Sequence, residues 1–72
     1  MINTDILENQ WKELRGKVRE RWRALSEDDV EFIDGHFDVL VELLLEKYGY
    51  TKQQAEEEAS RFIQKSSAEQ AN

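Results

Sequence analysis

The sequence predicts a small all-α domain, a compact orthogonal bundle of four helices, or of five helices if the first one breaks at Gly16. Three observations favour this fold class. Apolar residues recur at intervals of three and four, no segment alternates apolar and polar residues as a strand does, and proline is absent. With 72 residues, 39% hydrophobic and 36% charged, the chain has room for one domain and is too apolar to be wholly disordered.

The first helix is predicted from a single apolar stripe. Its members lie one turn apart on the same side of a helix: Leu7, Trp11, Leu14, Val18, Trp22 and Leu25. Gly16 interrupts the segment, and a glycine inside a helix costs roughly 1 kcal/mol relative to alanine. We therefore expect the first helix to bend or break at Gly16.

Glycines separate the next two helices. Ser26 and Asp29 have the spacing of a capping box at the start of a short second helix, which Gly35 is expected to end. A third helix is predicted over residues 36–48, with Gly49 closing it. Its expected core face consists of Phe37, Leu40, Val41, Leu44, Leu45 and Tyr48.

The last helix is predicted to begin at Thr51, where Gln54 lies three positions further on, as in a helix cap. Its inward residues are expected to be Ala55, Ala59, Phe62 and Ile63. Small polar residues follow. We therefore expect a single helical domain over residues 1–65 and a polar disordered tail over residues 66–72.

The sequence contains no recognisable catalytic motif. There is no cysteine, no glycine-rich phosphate loop and no nucleophile–histidine pairing. His36, the single histidine, has Asp34 and Asp38 two residues away on either side, whereas metal ligands on a helix are spaced by three or four. The sequence predicts no enzyme, catalytic residue, metal, cofactor or small-molecule ligand.

Neither a signal peptide nor a membrane span is expected. The first ten residues lack a basic start and an apolar run, and the apolar-rich residues 37–48 are fewer than the roughly 20 needed to cross a bilayer. The predicted location is cytoplasmic, without membrane contact.

Charge is distributed unevenly along the chain. Residues 1–25 hold six basic and four acidic residues, a net charge of +2, whereas residues 26–46 hold eight acidic residues and no basic one. On a helix, one flank of the first apolar stripe carries Lys12, Arg15, Arg19 and Arg23. This flank is a candidate polyanion-binding site. The competing interpretation is that the nearby acidic segment neutralises these cations, and a net charge of −6 also opposes nucleic acid.

A candidate protein-interaction surface lies on the third helix. Val39 and Leu43 are four residues apart on the side opposite the predicted core face, and Phe32 precedes them on the second helix. These three residues predict a docking surface for a protein partner or a weak homodimer. Isolated exposed apolar residues are the ordinary alternative.

The segments "NQWKELRGKVRERWRALSEDDVEFIDG" and "LVELLLEKYGYTKQQAEEEA" resemble the CsbD-like family of small bacterial stress-associated proteins over residues 3–60. The resemblance implies an all-helical, SAM-like fold and a link to general stress, and it brings no catalytic or ligand-binding residue. Relatives tend to be polar at Phe37, Val39 and Leu43. The expected function is a non-enzymatic, stress-associated protein that acts by protein interaction. The alternative is weak polyanion binding by the basic first helix.

Overall fold

The structure is a computed structural model that describes residues 5–70, with side chains described for residues 7–66. Its regular structure is entirely helical over this range. The five helices are α1 (Asp5–Asn9), α2 (Trp11–Arg21), α3 (Glu27–Ile33), α4 (Phe37–Tyr48) and α5 (Lys52–Gln70). The predicted all-α bundle is confirmed.

The first predicted helix breaks at Gln10, so the expectation of a break at Gly16 is wrong. Gln10 has a non-helical backbone conformation, and its carbonyl accepts hydrogen bonds from the amides of Glu13 and Leu14 at 3.0 and 2.9 Å. The helix α2 then continues through Gly16 without interruption. A break there would lose several backbone hydrogen bonds, which outweighs the modest cost of a helical glycine.

A close backbone approach at Gly35 fixes the position of α1. The residue that caps the end of α3 is Asp34, in the left-handed conformation, rather than Gly35 as predicted, and Gly35 follows with φ of +81°. A Cβ atom on Gly35 would lie 2.9 Å from Glu8 Cα and 3.3 Å from Trp11 Cβ. The absence of a side chain therefore lets α1 and the start of α2 pack directly on this turn.

The remaining helix ends follow the predicted caps. Ser26 and Asp29 form the capping box of α3. Gly49 ends α4 with φ of +67°, and its amide donates to the Leu45 carbonyl. At the start of α5, the Thr51 amide donates to Gln54 Oε1 and the Gln54 amide donates to Thr51 Oγ1, both at 3.1 Å.

The helix α5 extends past the predicted end of the domain at residue 65. It continues to Gln70, and Ser66 is buried. Neither glycine nor proline occurs between these positions, so nothing in the local sequence ends the helix. Residues 71–72 lie outside the described residues, and the disorder predicted for them stays a prediction.

The core lies between the five helices, and Trp22 is its largest fully buried side chain. The Trp22 ring packs against Phe62 of α5 with the ring centroids 5.1 Å apart. The buried apolar residues are Leu7, Leu14, Val18, Trp22, Leu25, Val30, Ile33, Leu40, Val41, Leu43, Leu44, Ala55, Ala59 and Ile63. Five of the six residues in the first predicted stripe are among them, and the sixth, Trp11, packs partly buried against this core.

Two alanine substitutions should change the free energy of unfolding in opposite directions. Gly16→Ala places a methyl group in open space on a helix, so we expect a gain of about 0.5–1 kcal/mol. Gly35→Ala forces an L-residue into a left-handed conformation and against the α1 backbone, so we expect a loss of at least about 2 kcal/mol. Urea denaturation of both variants checks the pair. Equal effects would contradict the close packing of α1 on Gly35.

Candidate interaction surfaces

The apolar patch predicted on α4 is not present as expected, because Leu43 belongs to the core. Its side chain is only 7% exposed, and Val39 is half-buried against the same core. The helix α4 packs against both α3 and α5, so it buries a wider arc than the single predicted face. Placing Leu43 on an exposed surface was therefore wrong.

Phe32 is the member of the predicted patch that the structure exposes, with 70% of its surface accessible. The helix α3 buries Val30 and Ile33, which leaves Phe32 on the opposite arc. Three exposed carboxylate side chains lie on the same arc. We define the Phe32 surface as Glu27, Asp28, Glu31 and Phe32. It is an exposed aromatic ring within an acidic neighbourhood.

All four residues of the predicted basic flank are exposed: Lys12, Arg15, Arg19 and Arg23. Arg19 Nη1 lies 3.4 Å from Glu27 Oε1, so this cation meets the acidic segment as the competing interpretation expected. An exposed pair of this kind contributes at most about 1 kcal/mol. Arg21, on the other side of α2, pairs instead with Glu58 of α5, which lies outside the acidic segment.

A second basic region, which was not predicted, lies between α2 and α5. It is an open groove of about 430 Å³, which we call the α2–α5 groove. Its lining residues are Lys17, Glu20, Arg21, Glu58, Arg61, Phe62, Lys65 and Ser66. The sequence does contain a signal for this groove. Lys17 and Arg21 are four residues apart, as are Arg61 and Lys65, so each pair lies on one face of its own helix.

Trp22 contacts two of the residues that line this groove, Arg21 and Phe62. Arg21 Nη2 lies 2.6 Å from Glu58 Oε1. The Cζ atom of the same guanidinium group lies 5.2 Å from the centre of the Trp22 ring. Phe62 also lines the groove, and its ring packs against the buried ring of Trp22. The buried indole Nε1 of Trp22 has no hydrogen-bond partner within the described part of the chain.

The comparisons with known proteins identify the family. UPF0337 protein PA4738 of Pseudomonas aeruginosa is 44% identical over 61 residues, which are 85% of this chain and 94% of that protein. UPF0337 protein YjbJ of Escherichia coli O6:H1 is 46% identical over 61 residues, 85% of this chain and 88% of that protein. This chain belongs to the UPF0337, or CsbD-like, family. No protein-family model matches the chain, and no solved structure matches it significantly.

The names of these relatives state a family and no activity, so the function of this UPF0337 protein has to be argued from its surfaces. Among the residues that the structure describes, no helix is long and apolar enough to cross a membrane. The side chains described for residues 7–66 also include no group of three or more histidine, aspartate or glutamate residues placed to hold a metal ion. The His36 Nδ1 atom lies 3.1 Å from the Ile33 carbonyl, at the start of α4.

Asp29 of this UPF0337 protein contacts both its own helix cap and a residue of another helix. Its Oδ2 atom accepts a hydrogen bond from the Ser26 amide at 3.0 Å and lies 3.5 Å from Lys47 Nζ. The Ser26 amide, followed by the Lys47 charge, lowers the pKa of Asp29 below its ordinary value of 3.8, while partial burial acts in the opposite direction. Asp29 thus ties the start of α3 to the end of α4.

Lowering the pH should weaken the contacts of Asp29 with Ser26 and Lys47. The pKa of Asp29 is lowered on folding, so its contribution to stability is present above pH 3.8 and is lost as the pH falls towards the lowered pKa. Between about pH 5 and about pH 3, the urea midpoint of the wild type should fall further than that of Asp29→Asn. Asp28→Asn is the control, because Asp28 is exposed and takes no part in the capping box. An equal fall in the wild type and Asp29→Asn would contradict this role.

Proposed function

We propose that this protein is a non-enzymatic, stress-associated protein that acts by binding a basic partner protein through the Phe32 surface. The observation that carries the proposal is the 70% exposure of Phe32 on an arc of α3 shared with three carboxylates. The link to stress rests on the resemblance to the CsbD-like family.

Because Phe32 is exposed, burying its side chain against a partner would contribute to the binding free energy. Burying a phenylalanine side chain contributes about 1.5–3 kcal/mol, and aromatic residues are over-represented among those that dominate interface energies. Since α3 already buries Val30 and Ile33, Phe32 is not needed to fix the helix in the core. Leaving the Phe32 ring exposed therefore costs little folding free energy, and the ring is accessible to a partner.

The acidic residues of the Phe32 surface favour a basic partner. Residues 26–46 carry eight acidic residues and no basic one, and Asp28 and Glu31 lie within about one turn of Phe32 on the exposed arc of α3, while Glu27 on the same arc is paired with Arg19. Two copies meeting through this same surface would place like charges together, which opposes association. A basic partner with an apolar pocket fits the surface better than the weak homodimer predicted through the third helix.

The carboxylates support a non-enzymatic role. General acid catalysis near neutral pH calls for a carboxyl group with a raised pKa in a cleft. Asp29 instead has a lowered pKa and holds a helix cap. The acids of the Phe32 surface are exposed. Such groups serve long-range attraction and solubility more readily than proton transfer.

Photo-crosslinking at position 32 tests the proposal. A photoreactive phenylalanine analogue placed there in stressed cells should give a discrete adduct with a basic protein. With that partner purified, Phe32→Ala should weaken binding by at least about tenfold, because an aromatic anchor is lost from the interface.

Gln64 provides the matched control, since it is an exposed residue on α5 away from the Phe32 surface. The analogue at position 64 should give no such adduct, and Gln64→Ala should bind as the wild type does. Both variants should unfold at the wild-type temperature, because neither side chain lies in the core. An acidic partner, or unchanged binding by Phe32→Ala, would contradict the proposal.

A further inference from the structure

We propose that the α2–α5 groove binds a nucleotide, with its phosphates on the basic side chains and its base against Phe62. This site is separate from the Phe32 surface and does not depend on the function proposed there. It also differs from the expectation, drawn from sequence, that no small-molecule ligand binds.

The charges of the groove suit a compact anion. Its lining carries four cations and two carboxylates, so it has a formal charge of +2 in a protein of net charge −6. The cations come from two helices: Lys17 and Arg21 from α2, and Arg61 and Lys65 from α5. Each pair is one turn apart, so both walls offer cations to a phosphate group between the helices, and Arg21 is at the same time paired with Glu58.

Phe62 gives the groove an aromatic surface beside these cations. Its ring is half-buried and is held in place by its contact with Trp22. A ring in this position offers a stacking surface to a base, which a purely ionic site lacks. The volume of about 430 Å³ is in the range of pockets that take small molecules.

The remaining charges favour one nucleotide over a long strand. Glu20 lines the groove, and Glu58 holds Arg21 at 2.6 Å, so the basic surface is short and ends at carboxylates. A strand leaving the groove would also meet a protein of net negative charge. A single nucleotide places all of its charge between the two helices.

Titration of the isotope-labelled protein with adenosine triphosphate, followed by NMR, tests the site. The largest shifts should fall on the lining residues and on the Trp22 indole N–H, because the Trp22 ring contacts both Phe62 and Arg21. Raising the salt from about 50 to about 200 mM should weaken binding severalfold, because the Debye length shortens. The absence of shifts at these residues with millimolar nucleotide would overturn the proposal.

Two charge-matched double variants locate the site. Arg61→Glu with Lys65→Glu should weaken binding by at least about tenfold. Lys12→Glu with Arg15→Glu changes the net charge equally on the predicted basic flank, and its binding should stay within about twofold of the wild type. All four residues are exposed, and circular dichroism checks that both variants fold. Equal losses in the two variants would overturn the assignment to the groove.

Two further ligands test the chemical class on the wild-type protein alone. Inorganic tripolyphosphate should bind more weakly than the nucleotide, because it has no base to contact Phe62. Equal affinity for the two would overturn the nucleotide assignment. Binding of a short oligothymidine at least about tenfold tighter than that of the nucleotide would point to single-stranded nucleic acid instead and would also overturn it.

Discussion

The burial of Trp22 is the constraint on which the rest of this structure depends. Trp22 follows the last residue of α2, its amide donates to the Val18 carbonyl, and its side chain is fully buried against Phe62 of α5. Removing a buried tryptophan typically costs about 3–5 kcal/mol, comparable with the whole stability of a domain of this size. This one ring therefore connects the end of α2 to α5, next to the groove between these two helices.

The elements that could be predicted from the sequence are those whose causes are local. The cap formed by Ser26 and Asp29, the cap formed by Thr51 and Gln54, and the glycine end of α4 at Gly49 each involve residues within a few positions of one another. Such contacts are available to the chain before it folds. Their residue types alone are enough to indicate them.

The features missed were those decided by packing between distant segments. The break at Gln10 lets α1 pack on Gly35, a contact between residues that no local pattern connects. Leu43 is buried because α4 has neighbours on two sides, whereas a helical wheel assumes one. The α2–α5 groove combines cations separated by some forty positions in the sequence. Spacing within each helix indicates the two pairs, and only the fold brings them together.

The separation of charge described for this chain has a consequence for how it meets other molecules. Acidic residues concentrate on α3 and α4, whereas α2 carries more basic than acidic residues, so charge is unevenly distributed over the folded protein. Such a distribution steers a charged molecule towards the surface of opposite sign before contact. Charge then acts chiefly on the frequency of productive collisions, while close packing around individual side chains determines how long a complex lasts.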